Sequence, residues 1–249
     1  MDAADRLSTS AFAVQLQTRH TVLPEGVGSY SETFVGGMFR RGEVGAALRL
    51  PVVGVFRDGE ALFGVGNAVA MLDWKFLEQE RLGSAVGAQL ELPTASDEDF
   101  GDAHWLVLPY LRTSIDRGSF DANLHLGGAQ TIGDGSGGHE GHHHSHSHAH
   151  EQEGFVINDH APTEFLGRLE LGRSAQGVRV PMRGAVLLDM VAPLGSESVI
   201  GSLGLAMDVM AGDNVLRLMG MGSPMESQRS AYRVGFSITH ATEWFPSWL

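Results

Sequence analysis

Apolar and polar side chains alternate along much of this chain, and the alternation limits its fold more than any other feature. Between positions 67 and 76, Leu72 and Trp74 take even positions, while Asp73 and Lys75 take odd ones. Successive side chains of a β-strand point to opposite faces, so a period of two indicates strands with one apolar and one polar face. The same pattern recurs at 163–172, 178–190 and 232–239. The sequence therefore predicts an all-β fold.

Turn residues divide these stretches into about twelve strands, at about twenty residues for each strand and its connection. We predict strands near 11–22, 30–40, 43–54, 61–77, 84–92, 103–113, 119–130, 155–172, 178–191, 197–209, 213–221 and 229–241. Most of them supply the about 9–11 residues that a tilted strand needs to cross a bilayer. This continuous antiparallel meander predicts that residues 1–249 form a single β-barrel domain.

The connections between the predicted strands alternate between two kinds. Short ones follow the even strands, at 41–42, 78–83, 114–118, 173–177 and 210–212. Longer ones, rich in Gly, Pro and acidic residues, follow the odd strands and include 23–29, 93–102, 131–154 and 222–228. An up-and-down transmembrane β-barrel with short periplasmic turns and longer external loops predicts this alternation, whereas a soluble β-sandwich does not require it.

The polar face of the strands carries charged residues of both signs. In a soluble β-protein these side chains would face water, whereas in a membrane barrel they would line a wet lumen while the apolar face meets lipid. Periodicity alone does not decide between the two arrangements. The barrel interpretation assigns ten residues to the lumen lining: Arg49, Asp73, Lys75, Glu91, Arg168, Glu170, Arg179, Arg183, Asp189 and Arg233.

Composition excludes several classes of protein. The chain has no cysteine, which rules out disulfide scaffolds, thiolate metal sites and a cysteine nucleophile. Its 17 basic and 30 acidic residues give a net charge of −13, which argues against a nucleic-acid partner. No apolar run reaches the 18 residues of a transmembrane helix. The first residues lack a basic region followed by an apolar segment, so they are not a secretory signal as they stand.

A Gly- and His-rich segment at 131–154 interrupts the strand pattern. Seven of the 12 histidines lie in it: His139, His142, His143, His144, His146, His148 and His150. Neutral imidazole is a good ligand for zinc, nickel and copper(II), so these side chains are predicted to bind divalent metal as interchangeable ligands. A solvated low-complexity insertion without a selected role, or an engineered tag, remains the alternative. In the barrel interpretation the segment is an external loop, and the fold requires no cofactor.

Two stretches of the sequence match catalytic or cofactor-binding motifs in their residue letters, but not in the structural context that these motifs need. Residues 139–143 spell H-E-x-x-H, but a metalloprotease needs that motif on a helix, and here it lies in a Gly-flanked low-complexity segment. Residues 133–138 spell G-x-G-x-x-G, yet no helix is predicted to follow them. No nucleophile elbow or phosphate-binding loop is present in the sequence. The chain is therefore predicted not to be an enzyme, and a hydrolase on a β-barrel is the least favoured hypothesis.

Three segments resemble a bacterial outer-membrane transporter family that is also called the "MetA-pathway of phenol degradation" family. GVGNAVAMLDWKFL at 64–77 resembles its G-x-G-D-x-x-x-G-x-K-Y-R-L strand, GAQLELPT at 87–94 its G-x-x-L-P-T-G segment, and WLVLPYL at 105–111 its following strand. This chain departs from the pattern with Asn67 in place of Asp, with no Gly after Thr94, and with an end that lacks the terminal Phe of a closing strand. The resemblance implies a barrel in the bacterial outer membrane.

Together, these features predict an outer-membrane channel for small solutes, in contact with membrane lipid. Its His-rich external loop would bind divalent metal at the pore mouth, and its mixed arginine and carboxylate lumen would select small polar or anionic solutes. The alternative is a soluble or secreted β-protein that buffers metal without transport. A requirement for detergent distinguishes the two.

Overall fold

The computed structural model describes residues 10–23, 28–57, 59–97, 100–101, 104–132, 163–175, 180–194, 199–223 and 232–241. These residues form thirteen strands: β1 (Ser10–Val22), β2 (Ser29–Arg41), β3 (Val44–Arg57), β4 (Glu60–Val65), β5 (Ala68–Gln79), β6 (Leu82–Leu92), β7 (Trp105–Asp116), β8 (Phe120–Ile132), β9 (Thr163–Ala175), β10 (Met182–Pro193), β11 (Ile200–Ala211), β12 (Asn214–Gly222) and β13 (Tyr232–Ala241). Among the described residues, no helix is long and apolar enough to cross a membrane.

The strands form one closed antiparallel sheet. From β5 to β13, each strand pairs with the next along the chain. The first strand, β1, pairs with β13 on one side and with β2 on the other, and β2 pairs with β3, so the sheet has no start and no end. The prediction of an all-β, up-and-down barrel is confirmed.

The barrel has twelve strand positions because β4 and β5 share one of them. On the edge of β3 that faces away from β2, Val52–Arg57 pair with β4 and Val44–Arg49 pair with β5. These two strands therefore lie end to end along β3. They occupy the place of the single strand predicted at 61–77, which the structure divides at Gly66 and Asn67.

Pro51 on β3 explains this division. Gly66 N donates to Pro51 O at 3.0 Å, but proline has no N–H with which to return a hydrogen bond. Thr94 Oγ1 donates to Gly66 O instead, at 3.4 Å. The pairing register moves from Val52 opposite Val65 to Arg49 opposite Val69, which leaves Asn67 as one extra residue. Asn67 is thus the centre of a β-bulge, which reverses the parity of the side chains between β4 and β5.

The two ends of the barrel differ in the length of their connections. The short-turn end has turns at 42–43, 80–81, 117–119, 176–181 and 212–213. Gly42 and Gly212 have φ of 58° and 61°, the left-handed conformation that tight hairpins require and that glycine adopts readily. The long-loop end has connections at 23–28, 93–104, 133–162, 194–199 and 223–231, together with the short β3–β4 turn at 58–59. The predicted alternation of short turns and longer loops is confirmed.

The outer face of the barrel is apolar. Large hydrophobic side chains on it are widely exposed: Leu205 at 68%, Leu72 at 60% and Leu203 at 56%. A closed sheet leaves no unpaired edge, and an apolar exterior matches the hydrocarbon of a bilayer. This exterior is that of a membrane-spanning barrel and not of a water-soluble one.

Strand boundaries differ from the predicted ones by a few residues. The strand predicted from 178 begins at Met182, and the strand predicted to end at 54 continues to Arg57, because Val52–Arg57 form a hairpin with β4. The predicted strand residues 155–162 and 229–231 lie outside the described part of the chain.

Candidate functional site: the barrel lumen

The interior of the barrel is polar at many positions where a soluble protein has an apolar core. Buried polar or charged side chains occur at inward-facing positions of most strands: Gln15, Thr21, Glu32, Asp73, Ser84, Arg112, Glu164, Glu170, Arg183, Asp208, Arg217 and Ser237. Burial of so many charges is costly unless they are paired and hydrogen-bonded. The lumen is therefore organised by ion pairs.

The largest group of ion pairs, the Arg183 cluster, comprises Arg183, Arg217, Asp121, Glu170 and Asp208. Arg183 Nη1 lies 2.5 Å from Glu170 Oε1 and 2.8 Å from Asp208 Oδ2, and both Nε and Nη2 donate to the Asp121 carboxylate. Arg217 Nη2 donates to Glu170 Oε2 at 2.7 Å. Five strands, from β8 to β12, supply these residues near the short-turn end.

A second group, the Arg40 cluster, lies on the other side of the lumen. Arg40 Nη2 donates to Asp73 Oδ1, and Arg112 Nη2 lies 3.4 Å from Asp73 Oδ2. Both Asp73 and Arg112 are buried. The low exposure of the two clusters means that side chains, and not open water, fill this half of the lumen.

A cavity of about 380 Å³ lies in the lumen next to the Arg183 cluster, and we call it the lumen cavity. Glu170 and Arg217 belong to both the cluster and the cavity wall. Phe100 and Gly101, from the loop between β6 and β7, also line it. The ionisable groups on its wall are five arginines, four carboxylates and one histidine: Arg19, Arg49, Arg168, Arg217, Arg233, Glu32, Glu91, Glu170, Asp189 and His125.

Three of the four carboxylates on this wall are held by arginines. Arg19 Nη2 lies 2.8 Å from Glu32 Oε2, and Glu170 pairs with Arg217 as described above. Arg168 makes a two-pronged contact with Asp189, with donor–acceptor distances of 2.6 and 2.5 Å. Such fork-to-fork pairs fix both side chains in orientation.

The other two arginines of the wall have no carboxylate partner among the described residues. Nε and Nη2 of Arg49 are buried there without a hydrogen-bond partner. Arg233 Nε donates to the neutral hydroxyl of Thr21 at 3.4 Å. Both guanidinium groups are repelled by Arg19 and Arg168, and Arg233 is also attracted by Glu32, which Arg19 already pairs. This part of the cavity therefore carries uncompensated positive charge.

Another part of the cavity wall is apolar. Leu106 and Leu108 on β7 are buried in one cluster, against which Met71 on β5 and Leu166 on β9 pack. All four side chains line the lumen cavity. The arginines without carboxylate partners come from β3 and β13 and form a cationic arc, and the four apolar side chains form an apolar arc that adjoins it where β5 pairs with β3.

The bulge at Asn67 holds the loop that covers the cavity. Asn67 Oδ1 accepts hydrogen bonds from the backbone N–H groups of Thr94 at 3.1 Å and Ala95 at 3.0 Å, while its Nδ2 donates to Glu91 Oε1 at 3.1 Å. Ala68 N donates to Thr94 Oγ1 at 2.8 Å. These bonds tie the start of the loop to the bulge.

Phe100 brings the end of the same loop against the inner wall. It packs on the buried cluster of Tyr30, Val53 and Val55, and its ring takes the space that a Cβ on Gly64 would need. Phe100 and Gly101 of this loop therefore form part of the wall of the lumen cavity at the long-loop end.

The structure places nine of the ten predicted lumen residues on the inner face of the barrel. Six of them line the lumen cavity: Arg49, Glu91, Arg168, Glu170, Asp189 and Arg233. Asp73 and Arg183 belong to the two clusters, and Lys75 pairs with Glu78 at 2.8 Å towards the short-turn end. Arg179 lies outside the described residues.

The prediction missed several partners of these residues. Arg40, Arg112, Asp121, Asp208 and Arg217 were not assigned to the lumen, although each lies in an ion pair there. The alternation contains the missing signal, because Asp208 and Arg217 each lie between two apolar residues on strands of clear parity.

The histidine prediction concerns residues that the structure does not describe. All seven histidines of the 131–154 segment lie in the range 133–162, outside the described part of the chain. In the described ranges, no group of three or more potential metal ligands is close enough to hold a metal ion. His125 lines the lumen cavity, and its ring centroid lies 4.8 Å from that of Tyr110.

No protein-family model matches the chain, and a search of curated proteins finds no match. Solved structures do match it. A COG4313 outer membrane channel from Pseudomonas putida F1 is 10% identical with a TM-score of 0.60, covering 97% of this chain and 99% of the other. A KdgM porin is 8% identical with a TM-score of 0.56 (91% and 98%), and a NanC porin is 6% identical with a TM-score of 0.51 (94% and 100%).

Identities this low show the fold alone. This chain has the fold of outer-membrane β-barrel porins, and its apolar exterior fits the same setting. The predicted location in the bacterial outer membrane is thereby confirmed. The finer resemblance to the phenol-degradation family stays a prediction.

Proposed function

We propose that this chain is a passive outer-membrane channel for small solutes that favours anions. The observation that carries the proposal is the pair of arginines, Arg49 and Arg233, which face the lumen cavity with no carboxylate partner among the described residues. Arginine remains charged at any physiological pH and presents a donor fork that matches carboxylate and phosphate groups. The fold shared with proteins named porins and an outer membrane channel supports transport over catalysis.

The net charge of −13 does not oppose this preference. Charges separated by more than about 8–10 Å of salt solution are largely screened at physiological ionic strength, whereas charges inside a narrow, partly dry lumen are screened much less. A solute in the lumen cavity is therefore influenced mainly by the groups on the wall. There the five arginines exceed the four carboxylates by one charge, and Arg49 and Arg233 are the arginines that form no ion pair within the described chain.

The Arg183 cluster limits the flow through such a channel. Its side chains fill the short-turn half of the lumen, so a solute can pass only when they separate. We therefore expect a small unitary conductance compared with that of a wide, water-filled porin.

The test is the reversal potential of the protein in planar bilayers under a KCl gradient. We expect the wild-type channel to pass chloride better than potassium, and Arg49→Gln and Arg233→Gln each to reduce that preference. Arg173→Gln is the matched control, since Arg173 lies on the outer face over the ring of Phe120. Absence of any conductance, or a wild-type channel that prefers potassium, would overturn the proposal.

A second proposal concerns the His-rich segment and rests on its sequence. We propose that His139, His142, His143, His144, His146, His148 and His150 bind Zn, Ni or Cu near the channel mouth. The test is calorimetric titration of zinc into the detergent-solubilised full chain and into a variant with all seven histidines changed to Ser. Equal zinc binding by both proteins would contradict it.

A further inference from the structure

The lumen cavity has two kinds of wall at once, and this combination identifies a class of solute. One arc carries Arg49 and Arg233, and the other carries the side chains of Met71, Leu108 and Leu166. Met71 and Leu166 are only partly buried in this arc, and a lumen built only for water and inorganic ions leaves their exposed surface against water, which is unfavourable. An occupant with an apolar body covers this surface and removes that cost. Its negatively charged end then faces the two arginines.

The cavity also has the dimensions of a binding site. Its volume of about 380 Å³ lies in the range of small-molecule pockets, about 300–1,000 Å³. The Glu170–Arg217 ion pair borders it towards the short-turn end, and Phe100 borders it towards the long-loop end. A solute inside is therefore enclosed on several sides and can make specific contacts before it moves on.

The two unmatched arginines define the polar end of the ligand. Nε and Nη2 of Arg49 are buried N–H donors without a partner in the described chain, and leaving such donors unbonded is costly. A planar carboxylate accepts two hydrogen bonds from one guanidinium edge, which a chloride ion cannot do. The donor geometry thus favours a carboxylate over a spherical anion.

We propose that the lumen cavity binds small organic anions that combine one carboxylate with an apolar body of about one ring. The proposal rests on the proposed function, which it deepens by naming the solute class. Benzoate is a probe of this class, acetate retains only the carboxylate, and benzyl alcohol retains only the ring. Neither partial probe satisfies both arcs, so each binds about tenfold more weakly than benzoate, or weaker still.

The experiment is calorimetric titration of each probe into the full chain in detergent. Arg49→Gln is expected to weaken benzoate binding by about tenfold, because the charge-assisted hydrogen bonds are lost. Met71→Gln, which changes little in volume, is expected to reduce the benzoate-to-acetate ratio. Arg173→Gln on the outer face should leave benzoate binding unchanged, and it controls for partition into the detergent. Gel mobility before and after heating establishes that each variant is folded.

The outcomes separate this inference from the proposed function. Tighter binding of benzoate than of acetate, lost in Arg49→Gln, supports both. Equal binding of benzoate and acetate, or benzoate binding unaffected by Arg49→Gln, overturns the amphipathic site even if the reversal potential shows a chloride preference. A channel without that preference overturns the proposed function, whatever the probes do.

Discussion

Replacing Arg183 by methionine tests whether the Arg183 cluster stabilises the barrel. Arg183 contacts three carboxylates, with distances of 2.5 Å to Glu170, 2.8 Å to Asp208 and 2.8 Å from Nε to Asp121. The cluster sets three carboxylates against two guanidinium groups. The variant therefore leaves Glu170 and Asp208 with Arg217, and it removes from Asp121 the guanidinium that the structure shows on it.

The expected cost follows from the burial of these groups. The side chains of Glu170 and Asp208 are each 2% exposed, so water cannot replace the lost contacts, whereas Asp121 is 22% exposed and can be hydrated. Breaking a buried ion pair by removing one partner costs about 3–5 kcal/mol. At about 2–4 °C for each kcal/mol in a chain of this size, the thermal unfolding midpoint falls by about 6–20 °C.

The assay is thermal unfolding in detergent micelles, read from the gel mobility of the folded and unfolded forms. Arg173→Met is the matched control, because Arg173 lies outside the lumen. Arg183→Lys should give an intermediate midpoint, since an ammonium group cannot contact three carboxylates in a fork. The double variant Arg183→Met/Asp208→Asn should recover part of the loss. If the midpoints of Arg183→Met and Arg173→Met coincide, the electrostatic reasoning is refuted.

Three further predictions concern other parts of the chain. Gly172→Ala should lower the thermal unfolding midpoint, because the new Cβ would lie 2.5 Å from Arg183 Cζ. Gly184→Ala is the control, since a Cβ there would have no atom within 4 Å, and equal midpoints for the two variants would contradict the prediction. Asn67→Ala should cost about 1–3 kcal/mol and speed proteolysis of the 93–104 loop, since Ala95 N–H loses its acceptor and Thr94 N–H keeps only Leu92 O; an unchanged cleavage rate would count against it. Zinc binding by the 139–150 segment should fade below about pH 6, where imidazole is protonated, and binding that persists at pH 5 would exclude histidine ligands.

The alternation made much of the barrel predictable, because the period of a strand is a local property. On β5, Leu72 and Trp74 face lipid while Asp73 and Lys75 face inwards, as the parity indicated. The break at Asn67 was not predicted, although Pro51 was visible in the sequence. The effect of Pro51 depends on which residues pair with it across the sheet, and the sequence of either strand alone does not determine that register.

The contacts inside the lumen were beyond prediction for a related reason. Arg183 and Asp121 are 62 positions apart and lie on strands that are not neighbours, β10 and β8. Parity assigns a side chain to the interior, but its height in the barrel depends on the stagger between strands. Sequence alone could therefore name charged residues of the lumen, but it could not say that Arg49 would lack a carboxylate partner in the described chain while Arg168 would have one.

The pairing of β1 with β13 also affects how the protein is made. Gln15 and Thr239 hydrogen-bond across this pair although they are 224 positions apart, whereas the other strand pairs join strands that are consecutive or, for β3 and β5, separated by one hairpin. Until β1 and β13 meet, each exposes an edge of unpaired N–H and C=O groups, which hydrocarbon cannot solvate. The wall facing the lipid is therefore completed only after β13 has been synthesised, and stable insertion must wait for it.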